Sequence, residues 1–249
     1  MWTDLSNPII IAHRGDKTHA PENTLPAFEL AVENGADAIE FDVKLSSDGQ
    51  IVVHHDRMLG RTTDGTGKIS EHSYASIKNL DAGGWFSEAF RGVCIPTLDE
   101  VFEAVGKRTH IDVELTNYAT PTDDLVTKVV EKVRRHGLQE CMLFSSFYPR
   151  NLRKARVLMP EVPLGLLIMK NWLGLWGRNF GWRGDYFALH PHFTNVDSGL
   201  VNRVHAGGKR IQVWTVNAEA DIKRMIGMGV NAIFTDDPKL ALRLLGRSQ

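Results

Sequence analysis

Cysteine is nearly missing from this 249-residue chain, which has only Cys94 and Cys141. They stand far apart, each inside an apolar run, and form no metal or redox spacing. The expectation is two buried thiols in a reducing compartment. A charge excess is missing too. With 29 Lys and Arg against 30 Asp and Glu, the formal net charge is −1. No overall field therefore draws the chain to nucleic acid or to an acidic membrane. No apolar run is long enough to span a bilayer, and residues 1–7 place no basic flank ahead of one. Cytoplasmic localisation is the expectation. There is also no linker, charge run, repeat or low-complexity tract to divide the chain, so residues 1–249 are expected to form one domain. A glycine-rich phosphate loop is absent as well, which argues against an open, doubly wound sheet.

What is present is an alternation of short apolar strands with helices. Pro8–Ala12 is a buried strand that runs into His13-Arg14-Gly15. Thr24 is placed to cap a helix that Gly35 ends. Ala38–Val43 and Ile51–His55 are strands joined across Ser47-Asp48-Gly49-Gln50, a link too short for a crossover helix and rich in hairpin signal. Residues 57–96 form an insertion after this third strand. Thr97-Leu-Asp-Glu100 is a capping box that opens a helix to about Gly106, and His110–Leu115 is the next strand. Strands and helices then alternate to the end, through Met142–Ser145, Leu164–Ile168, Tyr186–Leu189, Arg210–Val216 and Ala232–Thr235. This pattern predicts an α/β fold, a (β/α)8 TIM-type barrel. Nine strands compete for eight places. The surplus lies either around Glu40 and His55 or near Tyr186.

Strand parity singles out the chemistry. In Ala38–Val43, Ile39, Phe41 and Val43 share one face, and Glu40 and Asp42 share the other. Two carboxylates that close repel, and burying them unpaired is costly; a cation between them removes both problems. His110–Leu115 repeats the pattern with Asp112 and Glu114. Along Ile51–His55, parity groups His55 with Ile51 and Val53 and turns His54 away. Barrel chemistry collects at the C-terminal ends of the strands, where His13, Glu40, Asp42, His55 and Glu114 all fall. Glu40, Asp42 and Glu114 supply oxygen alone, which favours a hard cation, Mg2+ or Ca2+, over zinc. The histidines suit acid–base work near neutrality.

His13-Arg14-Gly15, Pro21-Glu22-Asn23-Thr24, Glu40-Phe-Asp42, Asp48-Gly49, His55-Asp56 and Arg61-Thr-Thr63 together resemble the glycerophosphodiester phosphodiesterase family. So do Ile95-Pro-Thr-Leu98, Glu114, Ser146-Phe147, Val213-Trp-Thr-Val-Asn217 and Thr235-Asp236-x-Pro238, in that order. The resemblance spans nearly the whole chain. It implies a barrel that hydrolyses small glycerophosphodiesters to an alcohol and glycerol 3-phosphate with one divalent cation, within lipid and glycerol metabolism. By motif position it makes His13 and His55 the acid–base pair, makes Glu40, Asp42 and Glu114 the metal ligands, and makes Arg14 a phosphate contact. Trp214, at a predicted strand end, is placed to cover the glycerol moiety or to pack the barrel. His190, His192, Trp85 and Phe86 are assigned to structure.

The chain departs from the family at Thr116, where the usual residue is a lysine two positions after the glutamate. The expectation is weaker screening of the phosphate and a lower KM in Thr116→Lys. The loop Asn171–Arg183 crowds Trp172, Trp176, Phe180 and Trp182 beside Arg178 and Arg183. A rim loop of that kind suits either a flap over the barrel or contact with a membrane surface. The second case leads to an alternative function, a lysophospholipase D-like enzyme acting at a membrane. A catalytically silent ligand-binding barrel is disfavoured, because both histidines and all three carboxylates are intact.

Overall fold

The computed structural model describes residues 1–247; the side chains of Leu173 and Trp182 lie outside that description. Among the described residues there are nine strands and nine α-helices. They are β1 (Ile9–His13), α1 (Leu25–Glu33), β2 (Ala38–Leu45), β3 (Ile51–Val53), α2 (Tyr74–Ile77), α3 (Leu98–Val105), β4 (His110–Leu115), α4 (Leu125–His136) and β5 (Met142–Ser146). Then follow α5 (Pro149–Leu158), β6 (Leu164–Ile168), α6 (Leu175–Phe180), β7 (Ala188–Pro191), α7 (Ser198–Ala206), β8 (Arg210–Val213), α8 (Glu219–Gly227), β9 (Ala232–Thr235) and α9 (Pro238–Leu244).

The parallel strands run β1-β2-β4-β5-β6-β7-β8-β9 and close, because β1 pairs with both β2 and β9. This is the eight-stranded barrel. The surplus strand is β3. It pairs antiparallel with β2 alone, Val43 opposite Val53 and Leu45 opposite Ile51, around a turn in which Gly49 takes φ 79°. The piece near Tyr186 is a true barrel strand that begins two residues later than expected, at Ala188.

Local signals explain where the helices start and stop. The capping box at α3 forms: Thr97 Oγ1 accepts from the Glu100 amide, and the Glu100 carboxylate accepts from the Thr97 amide. Gly137 ends α4 in the left-handed conformation, φ 65°, which costs other residues about 1 kcal/mol or more. Thr24 does precede α1, but its hydroxyl donates to Pro21 O rather than capping the helix.

The core has two main layers. Ile39, Phe41, Val43, Ile111, Val113 and Leu115 point outward and pack against the helices. Trp2, Ile9, Ile11, Leu143 and Phe234 fill the barrel from below, with the Trp2 indole donating to Cys141 O at 2.9 Å. Between β3 and α3 the chain carries a separate apolar cluster, Leu59, Ile69, Ile77, Ala82 and Ile95, seated on Val52.

One expectation fails here. The thiols are not both buried: Cys94 is exposed and Cys141 only partly covered, and both are free. Ile95 is buried while its neighbour Cys94 points to solvent, so the apolar run does not carry the thiol inside. Among the described residues, no helix is long and apolar enough to cross a membrane.

Candidate active site

β1 delivers His13 and then turns sharply. Arg14 adopts φ 62° and Gly15 φ 85°, and a Cβ on Gly15 would lie 2.7 Å from Ala27. Only glycine fits that corner without moving α1. The turn is pinned to β2, since the Arg14 amide donates to the Glu40 carbonyl at 2.8 Å and to its carboxylate at 3.1 Å.

β2 and β4 are parallel neighbours with Glu40 beside Asp112 and Asp42 beside Glu114. Their inward carboxylates therefore form one cluster. Glu40, Asp42 and Glu114 each offer an oxygen, and these oxygens lie within 4.8 Å of one another. An ion held at about 2.3–2.6 Å from each ligand spans about that width. Burial, with Asp42 and Glu114 close by, pushes Glu40 well above the usual carboxylate range. Burial and Asp42 push Glu114 up as well. Asp42 goes the other way: burial opposes its charge, but Arg14, His55, Lys44 and the Asn23 amide hold it low. An all-oxygen donor set whose members repel one another fits a hard divalent cation.

The histidines are each held by a carboxylate. His13 Nδ1 lies 2.8 Å from Asp236 Oδ1, and His55 Nδ1 lies 2.6 Å from Asp56 Oδ1. Both acids are held at about 2 despite burial: Asp236 by His13 and Lys17, Asp56 by Arg61 and His55. An ionised carboxylate only accepts, so Nδ1 carries the proton and Nε2 remains for the reaction. Burial lowers His13 to about 4 even with Asp236 pulling upward.

His13, His55, Asp56 and the three carboxylates Glu40, Asp42 and Glu114 line a single cavity of about 510 Å³ with Arg14, Lys44, Thr116, Tyr118, Phe147, Leu167 and Trp214. Trp214 is fixed there, its indole N–H donating to His190 O at 2.6 Å and its ring edge meeting Phe147. Arg14 is engaged within the protein, by Glu22 at 2.9 Å and Asp42 at 3.4 Å. Lys44 extends to Thr116, its Nζ 2.8 Å from Oγ1.

His54 lies buried away from the cavity, between Asp56 O and Thr62. Extended pairing continued past Val53 would have carried His55 onto the helix-facing side with Ile51 and Val53. The ladder stops at Val53, and the bend after it delivers His55 to the cavity instead. His190 is buried inside the barrel, 3.8 Å from Asp112. Neither His190, His192, Trp85 nor Phe86 lines the cavity.

Residues 13–240 match the model of the glycerophosphoryl diester phosphodiesterase family. The chain belongs to this family. It is 37% identical over 238 residues to the glycerophosphodiester phosphodiesterase of Caldanaerobacter subterraneus subsp. tengcongensis, covering 95% of this chain and 97% of that one. Against the enzyme of the same name from Bacillus altitudinis the identity is 36%, with 94% and 97% covered. Among solved structures, a phosphodiesterase of Oleispira antarctica, in complex with the product sn-glycerol-3-phosphate, superposes with a TM-score of 0.89 at 33% identity, covering 96% and 97% of the two chains.

Within this family member, sequence reasoning left four groups without a role. Asp236 and Asp56 orient the two histidines. Glu22 clamps Arg14 and Arg61 together. Lys44 reaches the cavity from the strand that carries Glu40 and Asp42. The first three stand in motifs already visible in the chain, so the motifs marked them without indicating their partners. Lys44 shares the inward parity of Glu40 and Asp42, and that signal was there to be read.

Proposed function

We propose that the chain hydrolyses glycerophosphodiesters to an alcohol and glycerol 3-phosphate, with His13 and His55 as its acid–base pair and one divalent cation, Mg2+ or Ca2+, at Glu40, Asp42 and Glu114. The observation that carries this reading is the convergence of two carboxylate-held histidines and a repelling carboxylate trio on one cavity. Cavity-lining residues run from His13 to Phe234, so residues 1–249 are read as one catalytic domain with an insertion at 57–96.

A phosphodiester is an anion and repels nucleophiles. The cation, when bound, supplies Lewis-acid screening of that charge. The protein's own residues do the rest. Glu40, Asp42 and Glu114 hold the ion. Arg14, locked by Glu22 and Asp42, keeps a fixed positive field beside the phosphate. One histidine accepts the proton of the nucleophile, and the other protonates the leaving alkoxide. Asp236 and Asp56 stabilise the imidazolium form of each ring. Water and the glycerol 2-hydroxyl, the latter through a cyclic phosphate, are both served by this arrangement. Trp214 and Phe147 give the organic part of the substrate an apolar wall.

The test is release of glycerol 3-phosphate from glycerophosphocholine before and after exhaustive chelation. Chelation should abolish it, and Mg2+ or Ca2+ should restore it. Full turnover by chelated Glu40→Ala would overturn the metal assignment.

A second reading, contact with a lipid surface, rests on α6. This helix turns its small residues inward: Gly177 is buried against Ile168, and the following Gly181 against Leu166 and Leu189. Its large ones face out, with Trp176 60% and Phe180 47% exposed, and Trp172 in the turn before it is 75% exposed. Lys170, Arg178 and Arg183 accompany them, and no acid occurs from 170 to 184. Aromatic rings beside cations suit an anionic bilayer interface, and the segment follows β6 at the catalytic end. Trp172→Ala/Trp176→Ala should lose turnover of a long-chain lysophospholipid while keeping that of glycerophosphocholine. Equal losses on both would make the segment structural.

A further inference from the structure

We propose that Lys44 is a phosphate-binding residue of this enzyme, supplying from β2 the cation that the family pattern carries at position 116, and that Thr116 positions it. The inference rests on the hydrolase reading above and adds a substrate contact to it.

The β2–β4 ladder sets the geometry. Asp42 pairs with Glu114 and Val43 with Leu115, so one further step along both strands brings Lys44 beside Thr116. By parity both face inward, with the carboxylates. Thr116 is held first: its hydroxyl donates to Val43 O at 2.7 Å. That leaves its lone pairs for the ammonium, which arrives at 2.8 Å. The threonine is thus a neutral bracket that fixes where Nζ sits.

An ammonium has three protons to give, and Thr116 takes one. Among the described residues, Lys44 forms no ion pair, although Asp42 and Glu114 are near enough to act on its charge. The other cations on the cavity differ. Arg14 is engaged by Glu22 and Asp42, and Arg57 is exposed. Lys44 is therefore a partly buried positive charge in the cavity wall with donors to spare, next to three carboxylates that would otherwise repel the substrate. A phosphate oxygen is the acceptor that uses those donors. The same geometry reverses the expectation for Thr116→Lys. A second ammonium there would confront the first and lose the bracket, so it brings no gain in KM.

The experiment transposes the charge. Lys44→Thr, Thr116→Lys and the double variant are compared with wild type in two assays: calorimetric titration with glycerol 3-phosphate, with and without divalent cation, and turnover of glycerophosphocholine. Lys44→Thr should weaken glycerol 3-phosphate binding and lower kcat/KM by about 10- to 100-fold, the range for a lost charged hydrogen bond. Thr116→Lys alone should not improve on wild type, and the double variant should recover most of the loss. Lys44→Met, which keeps the aliphatic stem, repeats the titration if the threonine variant is poorly folded. Glycerol 3-phosphate binding unchanged in Lys44→Thr or Lys44→Met, whatever the melting temperature, overturns the proposal. A wild-type protein that binds glycerol 3-phosphate through Lys44 yet releases none from its diesters would instead overturn the hydrolase reading.

Discussion

Replacing Asp236 by asparagine removes a charge while keeping the side chain's shape. In the native site, Asp236 Oδ1 accepts from His13 Nδ1 at 2.8 Å, Oδ2 accepts from Asn217 at 2.8 Å, and the Lys17 ammonium is 3.2 Å away. His13 and Asp236 are only 15% and 21% exposed, so water screens the pair little. A hydrogen bond to a charged group in that setting is worth about 1.5–3 kcal/mol. On the proposed mechanism the contribution is realised while His13 is imidazolium, a state it passes through whether it takes the nucleophile's proton or gives one to the leaving group. The loss should therefore appear in kcat, by about 10- to 150-fold, with KM little changed. The sign with pH also follows. Burial already holds His13 at about 4, and Asp236 is what raises it. Without the carboxylate, the inflection that His13 gives to the kcat profile moves to lower pH. The assay is kcat against pH on glycerophosphocholine, with melting temperature in parallel. A kcat equal to wild type, or a rise in KM alone, would refute the view that Asp236 works through His13.

Four further outcomes are expected. His55→Ala should lower kcat by about 10²–10⁴-fold with little change in melting temperature; His54→Ala should retain turnover and lose about 1–3 kcal/mol of stability, because it leaves buried partners at Asp56 O and Thr62 unsatisfied. Glu114→Gln in metal-free protein should stabilise it at neutral pH, since a carboxylate raised by even one pH unit costs about 1.4 kcal/mol there, and it should abolish any metal-induced rise in melting temperature. Between pH 6.5 and 4, wild type should lose about 1.4 kcal/mol of stability per pH unit relative to His54→Gln, because His54 sits at about 4 when folded against 6.5 unfolded; the opposite contribution of the raised Glu40 and Glu114 cancels in the difference. Urea midpoints that run parallel with pH in the two proteins would contradict the neutral, buried state of His54.

What was legible in the sequence was whatever short-range periodicity carries. Glu40 and Asp42 opposite Ile39, Phe41 and Val43 is a period of two, and the barrel keeps it. The capping box at Thr97 and the stop at Gly137 are complete within a few residues. The illegible parts depend on which strands become neighbours. Asp236 holds His13 across 223 positions of chain, and only barrel closure of β9 against β1 brings them together. Lys44 meets Thr116 because β4, not β3, lies next to β2 within the barrel. His55 was singled out by motif and by its place at the end of a strand that in fact stops two residues earlier, so it reaches the cavity by a bend and not by strand parity. Cys94 was misjudged because an apolar neighbourhood in sequence says nothing of which way one side chain points.

The cavity wall is divided in a way that bears on how such an enzyme changes its diet. His13, Arg14, Glu40, Asp42, Lys44, His55 and Glu114 come from β1, β2, β4 and the bend after β3, one contiguous arc of the barrel, whereas Phe147, Leu167 and Trp214 follow or belong to the strands across from it. On the proposed mechanism, one arc would handle the phosphate and the other would meet whatever alcohol is attached. Because Phe147, Leu167 and Trp214 are neither acid, base nor ligand, substitutions at these three are expected to reshape the leaving-group pocket without disturbing proton transfer or ion binding. New head groups are therefore reached by repainting one side of a room whose plumbing stays in the opposite wall.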